Sequence, residues 1–336
     1  MAARRAQSAA EADPNAIVSP MDEARHSSLH VIGHDDAFRT FCDAIASGRL
    51  HHAWLLTGPA GIGKMPLAFR MGRRLLNAEN PHGSAGRLVT AGSHPDLFAV
   101  GRAFDEKRQR FRGEIVADDI RPINSFMHRT AAEGGWRVVL IDTAEAMNRN
   151  AANALLKILE EPPPRAILIL TSAMPGALLP TIRSRVRKLA IAPLVEGDVR
   201  AVLRQNAPDA EPSEIERVVP LAEGSPGRAM SLLADKNGAI GNIAREAVQG
   251  MPVGRMLDAA ETLSRAGETG FALFFTLLGS ALADTARTVA VQSTIRGVRL
   301  AEAWQKIADI RARAENFNLD KQEAIIEALT VAGEAG

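Results

Sequence analysis

The residues best suited to chemistry begin with a loop, Gly58-Pro-Ala-Gly-Ile-Gly-Lys64. Gly58, Gly61 and Gly63 free the backbone to turn its N–H groups inward around phosphate oxygens. Lys64 carries an ammonium that reaches the outer phosphates. In a hydrolytic loop the next residue is Ser or Thr, whose hydroxyl holds Mg²⁺. Here it is Met65, a thioether and a poor ligand for a hard cation. The second centre is Asp142, which closes the apolar run Trp136-Arg-Val-Val-Leu-Ile141. A carboxylate at the end of such a strand is where a phosphate-loop protein holds Mg²⁺. Thr143 follows it, in place of a glutamate that would orient water, and a hydroxyl is no comparable general base. Glu145 lies two residues on and is not expected to substitute. The third is the dense positive run of Arg183, Arg185, Arg187 and Lys188. Two readings stand for it. One is a solvated basic turn. The other is an arginine presented across a subunit boundary to a neighbour's nucleotide, a role suited to the rigid guanidinium fork.

Elements to position these groups can be read around them. Residues 52–57 read as a short buried strand, and residues 66–76 as a helix with apolar positions returning every three or four residues. Strand, glycine-rich turn and helix are the setting a phosphate loop needs. Residues 136–142 and 166–170 are continuous apolar runs, as expected of parallel strands buried on both faces. Residues 150–160 form a helix stopped by Pro162, Pro163 and Pro164. Thr171 and Ser172 sit at a strand tip, either to sense a phosphate or to cap the next turn. Residues 97–100 and 114–116 read as short strands, and 120–132 as a helix. Beyond Pro193 the pattern becomes helical: first a small unit, then four helices near 251–265, 270–287, 294–314 and 320–332.

Composition narrows the function classes. With 40 Lys and Arg against 39 Asp and Glu, the net charge is +1, so no global field argues for nucleic acid. A basic surface would have to be local, and residues 102–112 are the best candidate in the first half. Cys42 is the only cysteine, which excludes an intrachain disulfide and a multi-cysteine zinc cluster. This fits a reducing cytoplasm. His82 and His94 have no cysteine beside them, and their stretch reads as a surface loop. The longest apolar stretch, 271–283, is too short to span a bilayer. Residues 1–27 lack the apolar core of a secretory signal and are expected to be a disordered tail.

Several separated motifs occur together and in order. They are the loop at 58–65, the strand ending at Asp142, Asn153-Ala-Leu-Leu-Lys-Ile-Leu-Glu-Glu-Pro-Pro163, Leu179-Pro-Thr-Ile-Arg-Ser-Arg185, and Gly224-Ser-Pro-Gly-Arg-Ala229. In this the chain resembles the bacterial clamp-loader subunits of the AAA+ class, and among them most of all the delta-prime type. The resemblance covers residues 28–245; the helical remainder fits by length and character. It implies an α/β RecA-like AAA+ core with a parallel sheet at 28–192, a small helical lid at 193–245 and an all-helical collar for oligomerisation at 246–336.

The resemblance also implies a role. Such subunits form a hetero-pentamer with gamma/tau-type and delta-type partners, in the cytoplasm and without a membrane. As part of the DNA polymerase III holoenzyme, the assembly opens the sliding clamp and places it on primed DNA. The delta-prime type does not hydrolyse ATP. It supplies an arginine finger, in a Ser-Arg-Cys motif, to ATP and Mg²⁺ held by a neighbour. Here that motif reads Ser184-Arg185-Val186, so Arg185 is the expected finger. Gly58, Gly61, Gly63, Lys64 and Asp142 would then be a degenerate nucleotide site. Three departures from a motor subunit agree with this: Met65, Thr143, and Gly227 where motor lids carry a nucleotide-sensing arginine. Arg228 is displaced by one residue, a turn of about 100° on a helix. Many relatives carry a four-cysteine zinc module in the region equivalent to 77–95; no zinc is expected here. Lys64 and Asp142 keep open an active gamma/tau-type ATPase, and a scaffold outside replication is a further alternative.

Overall fold

The computed structural model describes residues 19–105, 110–132, 135–235, 237–290, 293–317 and 319–336. Its centre is a parallel sheet. The strands β1 (Ala53–Thr57), β2 (Leu97–Val100), β5 (Arg137–Ile141), β6 (Ala166–Ser172) and β7 (Arg187–Ala190) lie in the order β2-β5-β6-β1-β7. A separate antiparallel hairpin pairs β3 (Phe104–Asp105) with β4 (Arg110–Phe111). Part of the basic stretch 102–112, including Lys107 and Arg108, lies outside the described residues.

Burial on both faces explains why the central strands read as unbroken apolar runs. Leu55, Val139, Ile141, Leu168 and Leu170 face one layer of helices, α5 (Ala117–Met127), α6 (Arg149–Glu160) and α7 (Pro180–Arg183). Trp54, Leu56, Val138, Leu140, Ile167 and Ile169 face the other, with α2 (Asp35–Ala46), α3 (Lys64–Leu75) and α4 (Ser84–Thr90). Strand β7 is the exception. It is an edge with Arg187 and Lys188 exposed, the kind of charged edge that discourages further pairing. Arg187 lies over the Trp54 ring at 4.6 Å.

Four local expectations are corrected. Residues 77–95, expected as a surface loop around His82 and His94, contain α4, with Gly86, Val89 and His94 buried. Residues 20–27, expected within the disordered tail, form α1 (Pro20–Ser27). Ser19 caps it by accepting from the Met21 N–H, and Ala24 is buried in the sheet-side core. Residues 1–18 lie outside the described residues. Residues 114–116 are not a strand; Ile115 makes a single parallel bridge to Met147. The helix expected over 120–132 runs from Ala117 to Met127, and it starts early because the Asp119 carboxylate reaches back to accept from the Val116 N–H at 2.9 Å.

Helices α8 (Glu196–Asn206), α9 (Pro212–Val218) and α10 (Pro226–Ala234) close on a small core of their own, including Val199, Leu203, Ile215, Val218 and Ala229. The remaining helices are α11 (Ala239–Gln249), α12 (Val253–Arg265), α13 (Gly267–Ala290), α14 (Thr294–Phe317) and α15 (Lys321–Ala335). They share a larger core around Phe274, Leu278, Leu282, Ile325 and Leu329. Helix α11 runs through position 245, and its Ala244, Ala247 and Val248 pack into this larger core.

Candidate functional site

The loop follows the carboxyl end of β1 and opens α3, at the edge where parallel sheets of this kind take ligands. Gly58 has φ +154°, and a Cβ there would lie 2.4 Å from the Ile191 carbonyl oxygen, so no side chain fits. Lys64 is only 8% exposed. Its ammonium donates to the carbonyls of Gly58 at 2.9 Å and Pro59 at 2.6 Å. Burial pushes its pKa down, opposed by the charges of Glu145 and Asp142. Met65 turns into the apolar core beside Ile62 and Leu67 and is 7% exposed. Its position therefore offers packing rather than a metal-binding hydroxyl.

Asp142 stands just past β5, and β6 ends beside it. Thr171 donates its hydroxyl to Asp142 Oδ1 at 2.6 Å and accepts from the Thr143 N–H at 2.9 Å. Thr143 has φ +54°, a costly conformation for a β-branched residue that these contacts help to hold. Glu145 is tied down in a similar way. Its Oε1 accepts from the N–H groups of Ala173 at 2.8 Å and Met174 at 3.3 Å. Ser172 caps the same turn, accepting from Met174 at 3.1 Å. So Thr171 orders the Asp142 corner and Ser172 caps.

The small helical unit of α8–α10, expected as a lid, packs directly on the loop. Ser225 donates its hydroxyl to the Ala60 carbonyl at 2.9 Å, and the Gly227 N–H donates to the Gly61 carbonyl at 2.9 Å. The two backbones are so close that a Cβ on Gly227 would sit 2.8 Å from Gly61 Cα. A Cβ on Gly61 would meet Ser225 Oγ at 2.7 Å. The same Ser225 oxygen caps α10 by accepting from the Arg228 N–H at 3.2 Å. Arg228 itself is turned away from the loop to the long helix α13. It pairs with both oxygens of Asp284, at 3.1 Å and 2.5 Å, and with Glu223 at 3.5 Å. Arg287 joins Asp284 and Glu223 in the same cluster.

Arg185 follows α7 and is separate from these groups. Its guanidinium pairs with Glu160, the last residue of α6, at 3.0 Å. It also donates to the Thr181 carbonyl at 3.1 Å and the Ser184 hydroxyl at 3.3 Å. The side chain remains 38% exposed. Val186 packs, partly buried, on the core below. Sequence reasoning did not anticipate Ser225 on the loop, Glu160 beside Arg185 or the Asp284 anchor of Arg228. Glu160 lies in the Leu-Glu-Glu-Pro-Pro stretch, so a signal was present; the other two are contacts between distant segments.

The family model described as "DNA polymerase III, delta subunit" matches residues 33–195, from the entry to α2 to the end of the sheet. The chain is 41% identical over 189 residues to the DNA polymerase III subunit delta' of Pseudomonas aeruginosa, covering 54% of this chain and 55% of that one. It is 32% identical over 207 residues to the Escherichia coli subunit of the same name, covering 60% of each. Over this core the chain is similar to the delta' subunits of bacterial DNA polymerase III. The match spans a little over half the length of these delta-prime relatives. The Escherichia coli tau subunit is 29% identical over 213 residues, 60% of this chain and 32% of that one. A solved gamma subunit-related protein from Thermotoga maritima matches at 20% identity with a TM-score of 0.43, covering 84% of this chain and 94% of that one.

Among the described residues no helix is long and apolar enough to cross a membrane.

Proposed function

We propose that this chain is a non-hydrolysing delta-prime-type clamp-loader subunit that acts in trans. It assembles in a hetero-pentamer with gamma/tau-type and delta-type subunits, in the cytoplasm. There Arg185 completes the site for ATP and Mg²⁺ held by the neighbouring motor subunit, while the assembly loads the sliding clamp on primed DNA. The observation that carries the reading is the backbone contact of Gly227 with Gly61. A helix end packed on the loop stands where a motor's lid would bring an arginine to the phosphates. Met65 offers no hydroxyl for Mg²⁺, and Thr143 offers no base for water. The domain division we propose keeps a core, a lid and a collar, but the core begins with α1 and the collar with α11, so the expected boundaries at 28 and 245 move to about 20 and 238.

Arg185 suits the role because it is exposed and lightly held. A surface ion pair such as Arg185–Glu160 contributes about 0–1 kcal/mol, so the guanidinium can be released to a triphosphate at small cost. The test is a reconstituted loader carrying Arg185→Ala. The expected result is assembly as before with DNA-stimulated ATPase reduced by about tenfold or more, since an arginine finger is worth about 10³–10⁵ at the one site it serves and other sites set the remaining rate. Unchanged ATPase in the assembled complex overturns the assignment. Lys64 and Asp142 favour the second reading, an active motor. Mg²⁺-dependent turnover by the purified chain, abolished by Lys64→Ala, would establish it.

A further inference from the structure

On the sheet face away from α5 and α6, an open cleft of about 550 Å³ separates α1 from the 81–91 segment. Arg25, His26 and Asp22 line one side, and His82, Arg87 and Thr90 the other. None of these residues enters the ATP-related reading above. The charge balance of the cleft is uneven. Arg25 pairs with Asp22 at 2.6 Å, and Asp22 is the single carboxylate among the described residues that line it. Arg87 is exposed and spends one donor on the His82 carbonyl, out of the five a guanidinium offers.

A third guanidinium lies underneath. Arg73, in α3, is 2% exposed. It donates to Ser28 Oγ at 2.8 Å, Ala78 O at 3.2 Å, Gly86 O at 3.3 Å, Arg25 O at 3.3 Å and Thr90 Oγ1 at 2.9 Å. Every one of these partners is a neutral oxygen. The hydrogen bonds are satisfied but the charge is not neutralised by them. Burial, and then the guanidinium of Arg25, hold the Arg73 pKa down. Thr90 links the two levels, since it lines the cleft and also accepts from Arg73. Three guanidiniums therefore gather at this place, and among the described residues that line the cleft Asp22, paired with Arg25, is the one carboxylate.

We propose that the cleft binds a small phosphate-bearing anion, with Arg25 and Arg87 as its charge-assisted donors and Arg73 supplying positive potential from below. Guanidinium forks match phosphate oxygens in pairs. The volume is that of a small-molecule site, typically about 300–1,000 Å³. A nucleic-acid track would instead need a run of cations along a groove, and Asp22 on the wall opposes a continuous polyanion.

The test uses the full chain and titrates inorganic pyrophosphate and, separately, AMP by calorimetry. Three variants are compared with the parent: Arg25→Gln with Arg87→Gln, Arg87→Gln alone, and Lys64→Ala. Lys64→Ala removes any anion binding at the phosphate loop, so the cleft is read from the pyrophosphate that this chain still binds, and pyrophosphate should bind the parent as well. It should bind the double variant about tenfold or more weakly, the loss expected when a charge-assisted hydrogen bond is removed. Arg87→Gln, on an exposed side chain, should give part of that loss with an unchanged melting temperature. Tighter AMP binding than pyrophosphate would identify a nucleotide as the source of the phosphate; equal binding would identify an inorganic anion. The proposal is overturned if pyrophosphate and AMP do not bind the parent, or if binding is lost in Lys64→Ala and kept in the double variant. It is also overturned if only short single-stranded DNA binds.

Discussion

The contact between Gly227 and Gly61 makes a prediction whose sign is informative. Gly227 lies in the first turn of α10 without a positive φ, so intrinsic helix propensity favours alanine there by up to about 1 kcal/mol. If the lid did not touch the loop, Gly227→Ala would leave stability unchanged or raise it. The packed geometry predicts the reverse. The new methyl would lie 2.8 Å from Gly61 Cα and 3.2 Å from its carbonyl oxygen, and both are backbone atoms. Keeping the lid docked would cost about 1–3 kcal/mol of overpacking. Releasing it would forfeit the bonds from Gly227 and Ser225, about 1 kcal/mol each. After a propensity gain of up to about 1 kcal/mol, the net destabilisation is up to about 2 kcal/mol. Chemical denaturation gives the total, and hydrogen exchange in peptides spanning 58–64 and 225–230 locates it. Faster exchange at both places, by up to about thirtyfold, is expected. A more stable protein with unchanged exchange would refute the docked lid.

The other expectations concern charge and burial. Asp284→Asn should loosen the lid from α13 and lower stability by about 1 kcal/mol, discounted for partial exposure; denaturation in low and high salt should show the loss shrinking with salt. Arg73→Met should cost about 3 kcal/mol or more, because it leaves the buried oxygens around it without donors; thermal melting checks this, and a neutral result would mean the segment collapses without them. His52 should give a pH signature. Burial, and then His51, hold its imidazole below the ordinary value of 6.5, against the opposing Leu159 carbonyl. The unfolded chain therefore binds more protons than the folded one just below pH 6.5, so stability falls as pH drops through that window. His52→Gln should flatten the fall in melting temperature there, and an unchanged slope would exclude His52 as its source.

What was legible in the sequence followed from local rules. The loop at 58–64 shows because a tight backbone turn demands glycine. The strand before Asp142 shows because a doubly buried strand needs an unbroken apolar run. Helix α1 was hidden because its average character is polar and its single buried alanine gives no periodic stripe. The true start of α5 was hidden in a cap: Asp119 reaching back to Val116 looks, in sequence, like one more acidic residue. Glu114–Val116 misled because a short apolar pair satisfies the strand pattern without a partner strand beside it. The residues that decide the site were the least readable. Ser225 and Ala60 are 165 positions apart, and nothing in either segment announces the other.

That long-range contact also gives a common physical sense to departures that look independent in sequence. A nucleotide-sensing arginine at position 227 would need space between lid and loop, and here the two backbones fill it. With glycine at 227, the adjacent Arg228 turns from the loop and pairs with Asp284. Met65 belongs to the core that supports the loop from behind, and a hydroxyl there would be a buried polar group needing a partner. Thr171, meanwhile, holds Asp142 and Thr143 in one rigid corner. Each substitution trades a group that would act on phosphate or water for one that fixes an element in place. A subunit built this way presents Arg185 from a body whose core, loop and lid are fastened to one another. On the trans-acting reading proposed above, freeing the lid should therefore impair catalysis at the neighbour's site even with Arg185 intact. In a reconstituted loader, Gly227→Ala is expected to lower DNA-stimulated ATPase, by less than Arg185→Ala does. Full ATPase alongside a demonstrably released lid would separate the finger's function from the lid's docking.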